Sequence, residues 1–91
     1  MLSKIPTDLS KIKKEDKDRQ ILRLGMMAEL DAISVYEQLA AETNSRKIKN
    51  ALLDIAREEK THVGEFETLL LQIDKEQVEE SAAGKKEVNE F

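Results

Sequence analysis

The sequence predicts an all-α protein: an antiparallel two-helix hairpin with a short C-terminal helix, two hairpins pairing into a four-helix bundle. Three observations carry this. Apolar residues recur at alternating three- and four-residue steps through two long segments, the period of one helix face. The punctuation that sheets require is missing, with one proline (Pro6) and three glycines (Gly25, Gly64, Gly84) in 91 residues. Charged residues make up 37% of the chain, while Tyr36, Phe66 and Phe91 are its only aromatics. That composition suits long, solvent-exposed helices.

Residues 1–15 are expected to form a flexible arm, because Pro6 and its small polar neighbours favour extended chain. The run "KIKKEDKDR" is basic but broken by acids, so it reads as a solvated approach to the first helix. The first helix is predicted over 16–42, with Leu22, Met26, Ile33, Tyr36 and Ala40 on one face. "TNS" at 43–45 breaks it and supplies Asn44 and Ser45, good turn and N-cap types. The second helix is predicted over 46–73, with a stripe of Ile48, Leu52, Ile55, Glu59, His62, Phe66, Leu69 and Ile73. The steps alternate four and three, a heptad seam with two polar residues in its middle. Residues 16–73 thus form the hairpin. Asp74 reads as the N-cap of a short third helix with Gln77 at the capping-box position, ended by Gly84. "KKEVNEF" is then a charged tail, whose abrupt stop fits a piece of something longer.

Each long helix spans about 40 Å at ~1.5 Å per residue. The connection is too short for anything but an antiparallel return. A lone hairpin has a one-sided core, and dimerisation into a four-helix bundle is the expected remedy.

Composition excludes several classes of function. The chain has no cysteine, hence no disulfide, iron–sulfur cluster or thiolate zinc site, and a reducing compartment is its natural setting. No stretch reaches the apolar length of a membrane span. The N-terminal lysines precede no hydrophobic run of the secretory kind. A net charge of −4 argues against nucleic acid as a partner.

The informative feature is the polar pair in the second seam. His62 is the sole histidine, and it follows Glu59 by three residues. With the bend at Asn44, Glu59 lies fifteen residues after it and Glu29 fifteen before, both roughly 22 Å from the turn. Glu29 also falls on the first helix's own stripe, so hairpin geometry brings the two glutamates to one level, with His62 one turn further on. Carboxylates withdrawn from water without partners cost several kcal/mol. Two that face each other also repel, and protonation or a cation is the escape. Carboxylate oxygens with a neutral imidazole suit a divalent first-row metal. One chain offers half of the donor set of a dimetal carboxylate bundle, which takes a glutamate from each of two helices and Glu-x-x-His from each of two others. A two-fold dimer supplies the rest.

"MAELDAISVYEQ" (27–38) followed by "AREEKTHVGEF" (56–66) resembles the encapsulated ferritins, a branch of the ferritin-like and rubrerythrin-related superfamily. The resemblance covers about residues 20–80. The spacing of Glu29, Glu59 and His62 matches the family pattern, and a single Glu-x-x-His per two-helix chain sets this branch apart from four-helix ferritins. The resemblance implies a di-iron ferroxidase centre at a dimer interface, with Glu29, Glu59 and His62 as iron ligands and catalytic residues. It implies a ring of dimers, such as a decamer, and a cytoplasmic place inside an encapsulin shell, for iron storage. Some members are fused to the shell protein. Some carry an acidic pair near the first ligand as an iron-entry site; here the positions hold Ala28 and Asp31, only one of them acidic. The aromatic that precedes the tyrosine in some members is Val35.

Other readings are bland. Glu58 lies one helical step off the stripe, and Glu65 borders it as a solvated or inter-subunit charge. Met26 and Met27 fill core. Tyr36 is either core or a hydroxyl donor to a ligating carboxylate. Two functions compete with the ferroxidase: a rubrerythrin-like peroxidase, disfavoured because its cysteine-bound iron partner has no counterpart here, and a non-enzymatic, metal-stapled dimerisation or cargo module.

Overall fold

The computed structural model describes residues 9–91, so most of the predicted arm lies outside the described residues. A 3-10 turn, Leu9–Lys11, precedes three helices: α1 (Lys14–Glu42), α2 (Arg46–Ile73) and α3 (Lys75–Asn89). All regular structure among the described residues is helical, as the periodicity predicts.

The predicted α1 is two residues short at its start. Lys14 and Glu15 already belong to the helix, and the amide of Asp16 donates to the carbonyl of Lys13 at 2.9 Å. Glu15 and Asp16 occupy the first turn, where negative charge complements the helix dipole. At the other end Thr43 turns extended while its amide still reaches Leu39 at 3.3 Å. Two hydroxyls then stitch the bend: Thr43 Oγ1 accepts from the amide of Ser45, and Ser45 Oγ from the amide of Ile48, both at 3.2 Å. Ser45 is thus the N-cap of α2, whose bounds match the predicted ones.

The core between α1 and α2 is thin. Its only buried apolar residues, among those described, are Ile33 and Ala40 of α1 and Ala56 and Leu70 of α2. The predicted α2 stripe divides into two heptad rows with different fates. Leu52, Glu59 and Phe66 are half-buried beside the buried line of Ala56 and Leu70, while Ile73, the last of that row, is exposed at the helix end. Ile48, Ile55, His62 and Leu69, spaced by seven, are exposed, with Ile48 at 53% and Leu69 at 48%. The physical reason is packing geometry: a bundle helix touches two neighbours, and the hairpin supplies one. Sequence periodicity sums both contacts and cannot say which row meets which partner. Met27, expected in the core, is 47% exposed.

α3 overturns the reading of the C-terminus. Gly84 does not end the helix, which continues to Asn89 through what was expected to be a tail. No glycine takes a positive φ, so Gly84 is ordinary helix. Its cost of about 1 kcal/mol relative to alanine is offset by strong helix formers around it, Ala82, Ala83, Lys85, Lys86 and Glu87. The predicted N-cap holds, with Asp74 Oδ1 accepting from the amide of Gln77 at 3.0 Å. The capping box is only half made, because the side-chain amide of Gln77 donates to Ser81 Oγ at 2.9 Å.

Asp74 also joins all three helices. Its amide donates to Leu70 at the end of α2, its Oδ1 caps α3, and its Oδ2 accepts from Arg23 of α1 at 3.0 Å. The carboxylate is buried, and such a cap contributes about 1 kcal/mol. Sequence reasoning found the cap and missed the Arg23 contact, which lies 51 residues away in the chain.

Candidate metal centre

Two helices deliver three donors to one place. α1 carries Glu29 near its middle, and α2 carries Glu59 and His62 one turn apart, Glu59 half-buried toward α1 and His62 on the exposed row beside it. Ligand atoms of all three lie within 4.8 Å of one another. Among the described residues this is the one group of three or more acidic or histidine side chains so arranged. Glu58 and Glu65 are exposed and stand outside it, as does Asp31.

Distances within the group show donors gathered but not satisfied. His62 Nδ1 lies 3.3 Å from Glu59 Oε2, a long hydrogen bond at best. It lies 3.6 Å from Glu29 Oε2, beyond hydrogen-bonding reach. Glu29 Oε2 is buried and has no hydrogen-bond partner. A carboxylate oxygen in that condition is rare, because desolvation without a replacement bond is costly. Two half-buried carboxylates, 22% and 19% exposed, share the space with an imidazole 46% exposed. The donor chemistry, two carboxylates and one imidazole, fits a divalent first-row cation. Iron passes that test on the orphaned oxygen and the donor types alike.

His62 belongs to the exposed heptad row, with Ile48, Ile55 and Leu69. The donor set therefore opens to the outside of the hairpin on its His62 side, amid exposed apolar residues. Ile21 and Leu39 of α1 are also exposed. Three donors leave a first-row metal short of its usual coordination number, and the open side is where further ligands must come from.

Tyr36 is half-buried and two turns nearer the bend than Glu29. Within the single chain it makes no hydrogen bond to any of the three donors. Lys60, beside the site on α2, pairs with Glu37 of α1 at 3.6 Å. One feature next to the site escaped sequence reasoning: the ring of Phe66 rests against α1 at Gly25. A glycine on the helix four residues before Glu29 is the signal that could have found it.

Comparison with known proteins agrees with this fold. A family model described as Rubrerythrin matches residues 20–91. A "Ferritin-like-encapsulin shell fusion protein" of Pyrococcus furiosus is 50% identical over 93 residues, covering all of this chain. The chain spans only 27% of that relative's length. The crystal structure of an encapsulated ferritin domain from Pyrococcus furiosus superposes with a TM-score of 0.85 at 47% identity, over 100% of this chain and 95% of that one. No helix among the described residues is long and apolar enough to cross a membrane. With 72 of its 91 residues matched by the family model and the same helical architecture, the chain belongs to the rubrerythrin family of ferritin-like proteins and resembles its encapsulated ferritin branch.

Proposed function

We propose that the protein is a ferroxidase, which oxidises Fe²⁺ to Fe³⁺ with dioxygen at a di-iron site shared by two copies of the chain. The observation that carries this is the orphaned, buried Glu29 oxygen among three donors that open onto an exposed apolar row. Two chains related by a two-fold axis provide four carboxylates and two imidazoles, the full set of a dimetal carboxylate bundle. In this reading Glu29, Glu59 and His62 of both chains would hold the two irons, the glutamates supplying oxygen donors and the histidines nitrogen. Tyr36 donates its hydroxyl to a ligating carboxylate in the assembled dimer. Each Fe²⁺ yields one electron to dioxygen, which is reduced with uptake of protons, and Fe³⁺ leaves for mineral formation elsewhere.

The relative fused to an encapsulin shell supports a setting inside such a shell, in the cytoplasm, with dimers arranged in a ring. That arrangement supplies the closed storage space a bundle lacks. Dioxygen consumption on anaerobic-to-aerobic addition of Fe²⁺ tests the reaction. The expected result is uptake well above that of buffer alone. A wild-type rate equal to buffer removes the ferroxidase and leaves the peroxidase and the metal-stapled dimer as the surviving readings.

A further inference from the structure

A methyl group built at Gly25 would lie 2.7 Å from Cε1, 2.8 Å from Cζ and 3.0 Å from Cδ1 of Phe66. One edge of the ring therefore rests directly on the α1 backbone, closer than any other residue type at position 25 permits. Gly25 lies four residues before Glu29, one turn along the same helix face. Phe66 lies four residues after His62 in the same way.

Side chains on a helix lean toward its N-terminus. Glu29, on α1, leans away from the bend, toward the turn that holds Gly25. Phe66, on α2, leans toward the bend, over the turn that holds His62. Both converge on one level, where the ring edge is in contact with Gly25. The carboxylate of Glu29, whose Oε2 is buried without a hydrogen-bond partner, is directed to this same level of the hairpin.

We propose that Gly25 and Phe66 form a positioning pair for the metal centre: the ring, seated in the glycine notch, sets the spacing of α1 and α2 beside Glu29 and Glu59 and walls the end of the site distal to the bend against water. This rests on the metal-centre reading above. Metal sites hold their geometry to about half an ångström when well supported. A methyl at position 25 forces the ring or the helices to move by several tenths of an ångström or more, which is enough to matter. Neither residue touches the metal in this scheme; both act through the carboxylate they place.

The test uses Co²⁺ on the full chain, read by its visible absorption, which reports donor geometry without turnover. Gly25→Ala is expected to weaken Co²⁺ binding about tenfold and to change the band shape, the range seen when supporting residues of metal sites are altered. Phe66→Leu is expected to weaken it less. The double variant Gly25→Ala/Phe66→Leu is expected to bind better than Gly25→Ala alone, because the shorter side chain makes room for the methyl. Residues in contact couple in this non-additive way. A purely structural role would move thermal unfolding and leave the spectrum alone.

Gly25→Ala with wild-type affinity and spectrum overturns the proposal, and so does a double variant no better than Gly25→Ala. If Gly25→Ala does not fold, Phe66→Leu decides alone, and an unchanged spectrum overturns the proposal. Wild-type protein without Co²⁺ binding, or His62→Ala binding as well as wild type, removes the site and the positioning pair with it. Failure of the pair alone leaves wild-type binding and its loss in His62→Ala intact.

Discussion

His62→Ala is expected to lower iron affinity by more than about 100-fold, beyond the loss seen when only a supporting residue is removed, and to bring Fe²⁺ oxidation near the buffer rate. The chain has one histidine, so no other imidazole can take its place. His62 is 46% exposed and contributes little to the thin core. The helical fold of the hairpin should therefore survive the substitution. Loss of metal without loss of fold is the signature to look for. In a shared site each dimer loses both nitrogen donors at once, so iron per dimer should fall from two toward zero. Elemental analysis after gel filtration checks the count, and circular dichroism checks the fold. Full iron retained by the variant would place the site elsewhere.

Leu69→Asp should separate assembly from ligand chemistry. Leu69 lies seven residues beyond His62 on the exposed row and is 48% exposed in the single chain. Covering the exposed half of a leucine is worth roughly half of the 1.5–3 kcal/mol of a whole side chain, and a two-fold interface contains it twice. The substitution also buries two carboxylates in an apolar seam. Together these should raise the dimer dissociation constant by about a thousandfold or more, from a loss of about 4 kcal/mol or more. Glu29, Glu59 and His62 remain in place. Sedimentation at micromolar protein should show monomer, and iron binding should fall with the dimer. A monomeric Leu69→Asp protein that binds iron like wild type would show that one chain suffices.

These two variants rest on features that were unequally legible in the sequence. The gathering of Glu29, Glu59 and His62 could be read because three facts converge on them: a polar interruption of an apolar period, equal heights about the bend, and a sole histidine at helical spacing from a glutamate. The bend could be read because Ser45 has no better use than capping. What escaped was everything set by the angle at which helices meet. The period of α2 showed one seam, whereas the structure divides it into Leu52, Glu59 and Phe66 toward α1 and Ile48, Ile55, His62 and Leu69 toward solvent. The two rows are offset by three or four residues, about 40–60° around the helix axis, and periodicity does not resolve which of them meets α1. The extension of α3 past Gly84 was missed for a different reason. Glycine was read as a stop signal, yet its helix cost is small beside the propensity of five strong formers around it. The Arg23–Asp74 and Gly25–Phe66 contacts connect distant parts of the chain, and no local pattern encodes them.

The shared di-iron site is the claim on which the rest depends, and anomalous scattering at the iron absorption edge tests it most directly. Crystals of wild-type protein loaded with Fe²⁺ should give two iron peaks per dimer on or beside a two-fold axis. Each should lie within bonding distance of His62 from one chain and of carboxylates from Glu29 and Glu59 of both. Iron held by the donors of a single chain, or peaks away from these residues, would contradict the account.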